Sequence, residues 1–114
     1  MFQDARLTQG KGTVVEGAAT VELIAAPGAG KVIRLIGGVI TVTLVATGGG
    51  GVVSLKDGTT VIFSAEGDAT GSIPFYFGEQ GYPLTANTAL NLVAESAVTN
   101  EATAFAAVTA KIVG

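Results

Sequence analysis

Through most of the chain, apolar and polar residues alternate with a period of two. The stretch from Gly30 to Phe63, GKVIRLIGGVITVTLVATGGGGVVSLKDGTTVIF, sets the pattern. Ile40, Val42, Leu44 and Ala46 fall on one face, and Thr41 and Thr43 share the other with Val39 and Val45. Such a period is that of a pleated strand with one strongly apolar side. Gly48 to Gly51 do not continue a strand comfortably, and Asp57-Gly58 is a tight hairpin signal. The centre of the chain therefore reads as a β-meander.

Outside this stretch the same logic predicts further strands. Residues 1–12 are polar apart from Met1, Phe2 and Leu7, and read as an N-terminal arm or edge segment ahead of a β-domain over 13–114. Thr13 to Glu16 is a short strand and Gly17-Ala18-Ala19 a turn. Thr20 to Ala25 sets Val21, Leu23 and Ala25 against Thr20, Glu22 and Ile24. Lys31 to Ile36 runs into Val39 to Ala46 through Gly37-Gly38, either a hairpin turn or a bulge within one bent strand. Val52 to Lys56 and Thr59 to Ala65 form a hairpin. Gly71 to Phe77 carries Pro74, which donates no ladder hydrogen bond and so marks an edge or a bulge. Ala89 to Glu95 sets Leu90, Leu92 and Ala94 against Asn91, Val93 and Glu95. Thr103 to Val113 puts Ala104, Ala106, Val108, Ala110 and Ile112 on one face, and Phe105, Ala107 and Val113 make the opposite face half apolar. With about eight strands, glycine-rich turns and no convincing helix, the expected fold is a single antiparallel β-sandwich or jelly-roll-like domain.

Composition sharpens this. The chain has 114 residues, of which 48% are hydrophobic and only 13% charged, with a mean hydropathy of +0.57. Ordinary domains carry about 25% charged residues, so this one is expected to bury surface in a membrane or against other proteins. The apolar run Val32 to Ala46 contains Arg34, Thr41 and Thr43 and is shorter than the ~18–20 residues of a spanning helix. Seven aromatics are too few for the girdles of a transmembrane barrel. Protein–protein burial is the reading that remains. The N-terminus lacks the apolar core of a secretory signal. The net charge is −3, and Arg6, Lys11, Lys31, Arg34, Lys56 and Lys111 are scattered, which disfavours direct nucleic-acid binding.

The chemistry on offer is thin. With no histidine and no cysteine, disulfides, most nucleophile–base pairs and the common transition-metal sites fall away. Gly28-Ala29-Gly30-Lys31 lacks the earlier glycine of a phosphate loop, where Ala25 stands, and the following Ser or Thr, where Val32 stands. It reads as a turn. Glu66 and Asp68, or Glu79, are the carboxylates available for an acid–base pair, but they lie in glycine-rich loops where acids are usually just solvated. Asp57-Gly58 is a turn, not a ligand. No catalytic, metal or cofactor site is therefore expected. Phe75, Tyr76, Phe77 and Tyr82 are the notable cluster. Tyr76 and Tyr82 are placed to stack on a sugar; the alternative puts two rings of Phe75 to Phe77 inward and one into an interface. Strands apolar on both faces normally mark association, most economically between symmetric copies.

The run Pro27-Gly28-Ala29-Gly30-Lys31-Val32-Ile33-Arg34-Leu35, the glycine-punctuated apolar strands after it, and Thr88-Ala89-Leu90-Asn91-Leu92 together resemble small tailed-phage virion proteins with jelly-roll-like domains, of which capsid decoration (cement) proteins are the nearest kind. The likeness covers residues 25–112 and consists of strand patterns, so it carries over no site residue. It implies a homotrimer bridging major capsid protein subunits in the virion, assembled in the host cytoplasm, with Phe2 and Leu7 in an arm that reaches a neighbour. The resulting candidate interface residues are Phe2, Leu7, Phe75, Tyr76, Phe77 and Tyr82. A sugar- or receptor-binding module of a tail fibre or tail tip is the other reading.

Overall fold

The computed structural model describes residues 6–15, 19–44, 52–66, 71–94 and 102–114. Nine strands follow in chain order: β1 (Arg6–Val15), β2 (Thr20–Ile24), β3 (Val32–Leu44), β4 (Val52–Asp57), β5 (Thr60–Glu66), β6 (Gly71–Tyr76), β7 (Tyr82–Pro83), β8 (Leu90–Ala94) and β9 (Ala102–Val113). They form two antiparallel sheets. The first has the order β1-β9-β3-β6, with the two-residue β7 also on β3; the second has the order β2-β8-β4-β5. With β6 and β7 taken as two halves of one interrupted strand, each layer holds four strands in jelly-roll order.

Alternation builds the core. Ile33, Leu35, Ile40 and Val42 of β3 and Ala104, Ala106, Val108 and Ala110 of β9 face Val53, Leu55, Leu90 and Leu92 of the opposite sheet. Each fully buried branched side chain contributes about 1.5–3 kcal/mol. The alanines of β9 let the sheets close over the bulkier residues beside them. β8 follows its expected faces, with Leu90, Leu92 and Ala94 buried between half-buried Asn91 and Val93.

One feature differs from the sequence expectation, and two others decide between its alternatives. The centre is not a meander: β3 lies in one sheet while β4 and β5 lie in the other, and of these three only β4 and β5 are neighbours. Gly37-Gly38 makes no hairpin. β3 is one strand whose register on β9 slips between Leu35 and Gly37, leaving Ile36 as the extra residue. Glycine is required there, because a Cβ on Gly38 would lie 2.8 Å from Val108 Cα. Finally, residues 6–12, read as an arm or edge segment, form the first part of the edge strand β1 and pair along β9 from Arg6↔Ile112 to Gly12↔Ala106. Its inward positions are the small Thr8, Gly10 and Gly12, opposite the buried Ala110, Val108 and Ala106. Residues 1–5 lie outside the described residues.

One end of the sandwich is organised by the segment from Leu84 to Ala89. Its Leu84 N–H donates to Ile33 O (2.8 Å), and Asn87 N–H donates to Lys31 O (2.8 Å). Asn87 takes the left-handed conformation, with φ 51°, and its Oδ1 accepts from Gly28 N–H at 2.9 Å. Gly28 and Gly30 have positive φ (113° and 77°) in the Pro27–Lys31 turn, where Lys31 N–H donates to Gly28 O at 3.1 Å. On the other side of the segment, Asp57 Oδ2 accepts from Thr85 N–H (2.9 Å) and Thr85 Oγ1 (2.8 Å). One side chain thus fastens the β4–β5 hairpin turn to the segment before β8. Its other oxygen, Oδ1, is buried and has no hydrogen-bond partner among the described residues.

Candidate association surface

The registers assign a face to each candidate residue. On the first sheet, Leu7, Gln9, Lys11 and Thr13 of β1 stand opposite Lys111, Thr109, Ala107 and Phe105 of β9, which stand opposite Arg34, Gly37, Val39 and Thr41 of β3. Gly37, Val39 and Thr41 then stand opposite Tyr76, Pro74 and Ser72 of β6, and Arg34 opposite Pro83 of β7. All alternate with the buried set, so they form the outer face of that sheet. Leu7 is 70%, Tyr76 68% and Phe105 38% exposed. Between them lie small or β-branched residues, and Thr41 Oγ1 bonds Ser72 Oγ at 3.0 Å. A shallow depression of about 350 Å³ runs along β1 and β9 over Ala107 and Thr109, flanked by Gln9 and Lys11.

The outer face of the second sheet is different. Its rows are Thr20–Val93–Ser54–Ser64 and Glu22–Asn91–Lys56–Val61. Apart from Val93 and Val61, these are polar or charged, and Ser54 Oγ and Ser64 Oγ bond each other at 3.0 Å. The pattern of an apolar inner and a polar outer side thus holds for one layer, although Ser54 in its outer row is itself buried. The other layer's outer side mixes Leu7, Val39, Ala107, Phe105 and Tyr76 with threonines and with Lys11, Arg34 and Lys111.

The aromatic cluster divides between two places. Tyr76 points outward, its ring over Gly37, where an added Cβ would meet Tyr76 Cδ1 at 3.4 Å. Phe75 pairs with Gly38 and Tyr82 with the buried Leu35, so both turn to the inner side. A row of rings results, from Phe63 of β5 to Phe75 (5.0 Å between centroids), to Phe77 (5.7 Å) and to Tyr82 (5.6 Å). This row lines the open side of the sandwich, where β5 is the edge of one sheet and β6–β7 the edge of the other. Two rings of Phe75 to Phe77 therefore face inward and one outward. Tyr76 and Tyr82, on opposite faces of the sheet, do not form a joint stacking platform.

Of the other candidates, Phe2 lies outside the described residues, and Leu7 sits on the outer face about three strand spacings, ~14 Å, across from the Tyr76 edge. Phe105 was not among the residues singled out from sequence. Its position opposite Ala104 and Ala106 put it on the half-apolar face, but only the register shows that its neighbours are Thr13 and Thr41, small enough to leave the ring standing above them. The structure also pairs two cations far apart in sequence: Arg34 and Lys111 are direct cross-strand neighbours.

Glu79 is exposed in the turn that Gly81 N–H closes onto Gly78 O (3.0 Å). Asp68 and the side chain of Glu66 lie outside the described residues. Among the described residues, no group of three or more carboxylates is placed to hold a metal ion. Among the described residues no helix is long and apolar enough to cross a membrane. The chain matches no protein-family model, and no curated protein matches its sequence.

Proposed function

We propose that the chain is a structural virion protein, a decoration (cement) protein that oligomerises, as a trimer, and bridges major capsid subunits of a phage head. The observation that supports this reading is the outer face of the β1-β9-β3-β6 sheet, where Leu7, Val39, Phe105, Ala107 and Tyr76 occupy positions that water would normally fill with charge. Surface of this kind marks association. The jelly-roll order agrees with it by analogy alone, since that topology also serves lectins and cupins.

The test is sedimentation of the purified chain with phage heads assembled without it. The expected outcome is saturable binding to intact heads and a higher temperature of head disruption. A chain that stays in the supernatant and leaves head stability unchanged overturns the proposal.

A further inference from the structure

Asp57–Gly58 is the only step in the chain where glycine follows an aspartate or an asparagine. Such a step is chemically fragile, because the glycine nitrogen has no side chain beside it to hinder attack on the aspartate Cγ. In that attack a C–N bond forms, and the carboxyl hydroxyl leaves with the amide proton as water. The product is a five-membered succinimide, which water opens again. Cleavage of the new bond restores aspartate. Cleavage of the old peptide bond gives isoaspartate, whose main chain runs through Cβ and Cγ and is one carbon longer. No atom is gained or lost overall.

The fold depends on both residues. Gly58 has φ 62°, and a Cβ there would lie 3.0 Å from Thr88 Cγ2. Asp57 Oδ2 is the acceptor for Thr85. Three restraints oppose ring closure. Asp57 ends β4 and is paired on both sides, with Thr60 and with Leu90. Extended strands have ψ of about +135°, which turns the next nitrogen away from the side chain; the ring needs Cβ and that nitrogen eclipsed about Cα–C. Gly58 N–H donates to Ala89 O at 3.1 Å, which holds the proton that must leave. Asp57 Oδ2 is held by Thr85, and Oδ1 is shut off from the solvent that would assist a departing oxygen. The last two restraints come from one segment, Leu84 to Ala89.

We propose that Asp57–Gly58 is a latent isomerisation site held closed by that segment: isoaspartate forms there in chains whose end has opened, and closed chains are spared. The extra main-chain carbon spoils the two-residue turn and withdraws the acceptor from Thr85, so an isomerised chain does not close again. A transient opening thereby becomes a permanent mark. The site needs no partner and is separate from the association reading.

In the test, wild-type chain is incubated at one temperature and pH, either native or in guanidinium chloride. Each sample is then denatured, and its isoaspartate is counted by enzymatic methyl transfer. The expected rate is about tenfold or more higher in the unfolded chain, because native chains react only through local opening. In native wild type the rate is expected to climb with guanidinium below the unfolding transition. Asp57→Glu, whose ring would need six members, is expected to remove most of the unfolded-state signal. Thr85→Val, which lacks only the hydroxyl donor, is expected to isomerise about fivefold faster than native wild type, the shift in opening that follows from one lost hydrogen bond. Thr85→Ser is expected to keep the wild-type rate. Equal rates in native and unfolded wild type, or an unfolded-state signal that survives Asp57→Glu, overturn the proposal. So does a folded Thr85→Val no faster than wild type. If Thr85→Val does not fold, the guanidinium series decides, and a native rate that stays flat until global unfolding overturns the proposal.

Discussion

The two long sides of the sandwich close in opposite ways. On the side where β1 and β2 are the edges, the sheets meet backbone to backbone. A Cβ on Gly10 would lie 2.8 Å from Ile24 Cγ1 and still nearer the carbonyl of Leu23, and one on Gly12 would lie 3.1 Å from both Leu23 Cδ2 and Val21 Cγ1. On the side of β5 and β6–β7 the gap is filled by the row Phe63, Phe75, Phe77 and Tyr82. The first closure leaves no room for a side chain. The second spreads across several rings with some exposure, so it tolerates change and leaves apolar surface for a neighbour. The same boundary between two sheets is thus made rigid on one side and receptive on the other.

Substitutions can break this comparison, read by urea unfolding at one fixed protein concentration, so that the self-association proposed above would contribute equally to each measurement. Gly10→Val carries the largest expected effect, a loss of about 3 kcal/mol or more, since no rotamer relieves a clash with backbone. A loss below about 1 kcal/mol would mean that β1 can lift off β2 and that this side is not rigid. Phe75→Ala, at the middle of the ring row, is expected to remove about 2–3 kcal/mol, somewhat less than a fully buried ring would. Replacing Phe63 and Phe75 by leucine singly and together sharpens the point. A coupling of about 0.5–1.5 kcal/mol is expected of an aromatic pair, and none would reduce the row to independent contacts. Asp57→Ala, at the end shared by both sides, should remove about 1–2 kcal/mol by orphaning Thr85. Tyr82→Ala, at the exposed end of the row, is expected to change monomer stability by under about 1 kcal/mol. A larger loss would assign that ring to the core.

Where a strand keeps strict alternation, its faces were legible in the sequence. Leu90, Leu92 and Ala94, and Ala104 to Ala110, point inward as their spacing predicts. Bulges were not. The register of β2 on β8 shifts between Glu22 and Ile24, so Leu23 and Ile24 are both buried, although alternation sets them on opposite faces. Ile36 enters β3 in the same way. A period of two records which side of a strand is apolar and carries no information about which strand lies beside it. For this reason β3, β4 and β5 read as a meander although β3 lies in the other layer. The proposed association surface was legible in part for the same reason. The threonine and valine face of β3 was visible locally, whereas its continuation through Phe105 and Tyr76, and the meeting of Arg34 with Lys111, depend on pairings between distant strands.

The pairing of β1 with β9, first described through Arg6↔Ile112, also bears on how fast the protein forms. Among the described strand pairs, only β4–β5 joins consecutive strands; the rest wait for chain segments far apart to meet. Closing such loops carries an entropy penalty before any contact repays it, and folds dominated by distant pairings form in about milliseconds to seconds. The β4–β5 hairpin is expected to form early and the β1–β9 ladder last. A stopped-flow experiment in which Leu7→Ala slows folding as strongly as Leu55→Ala, relative to the stability each removes, would reject that order.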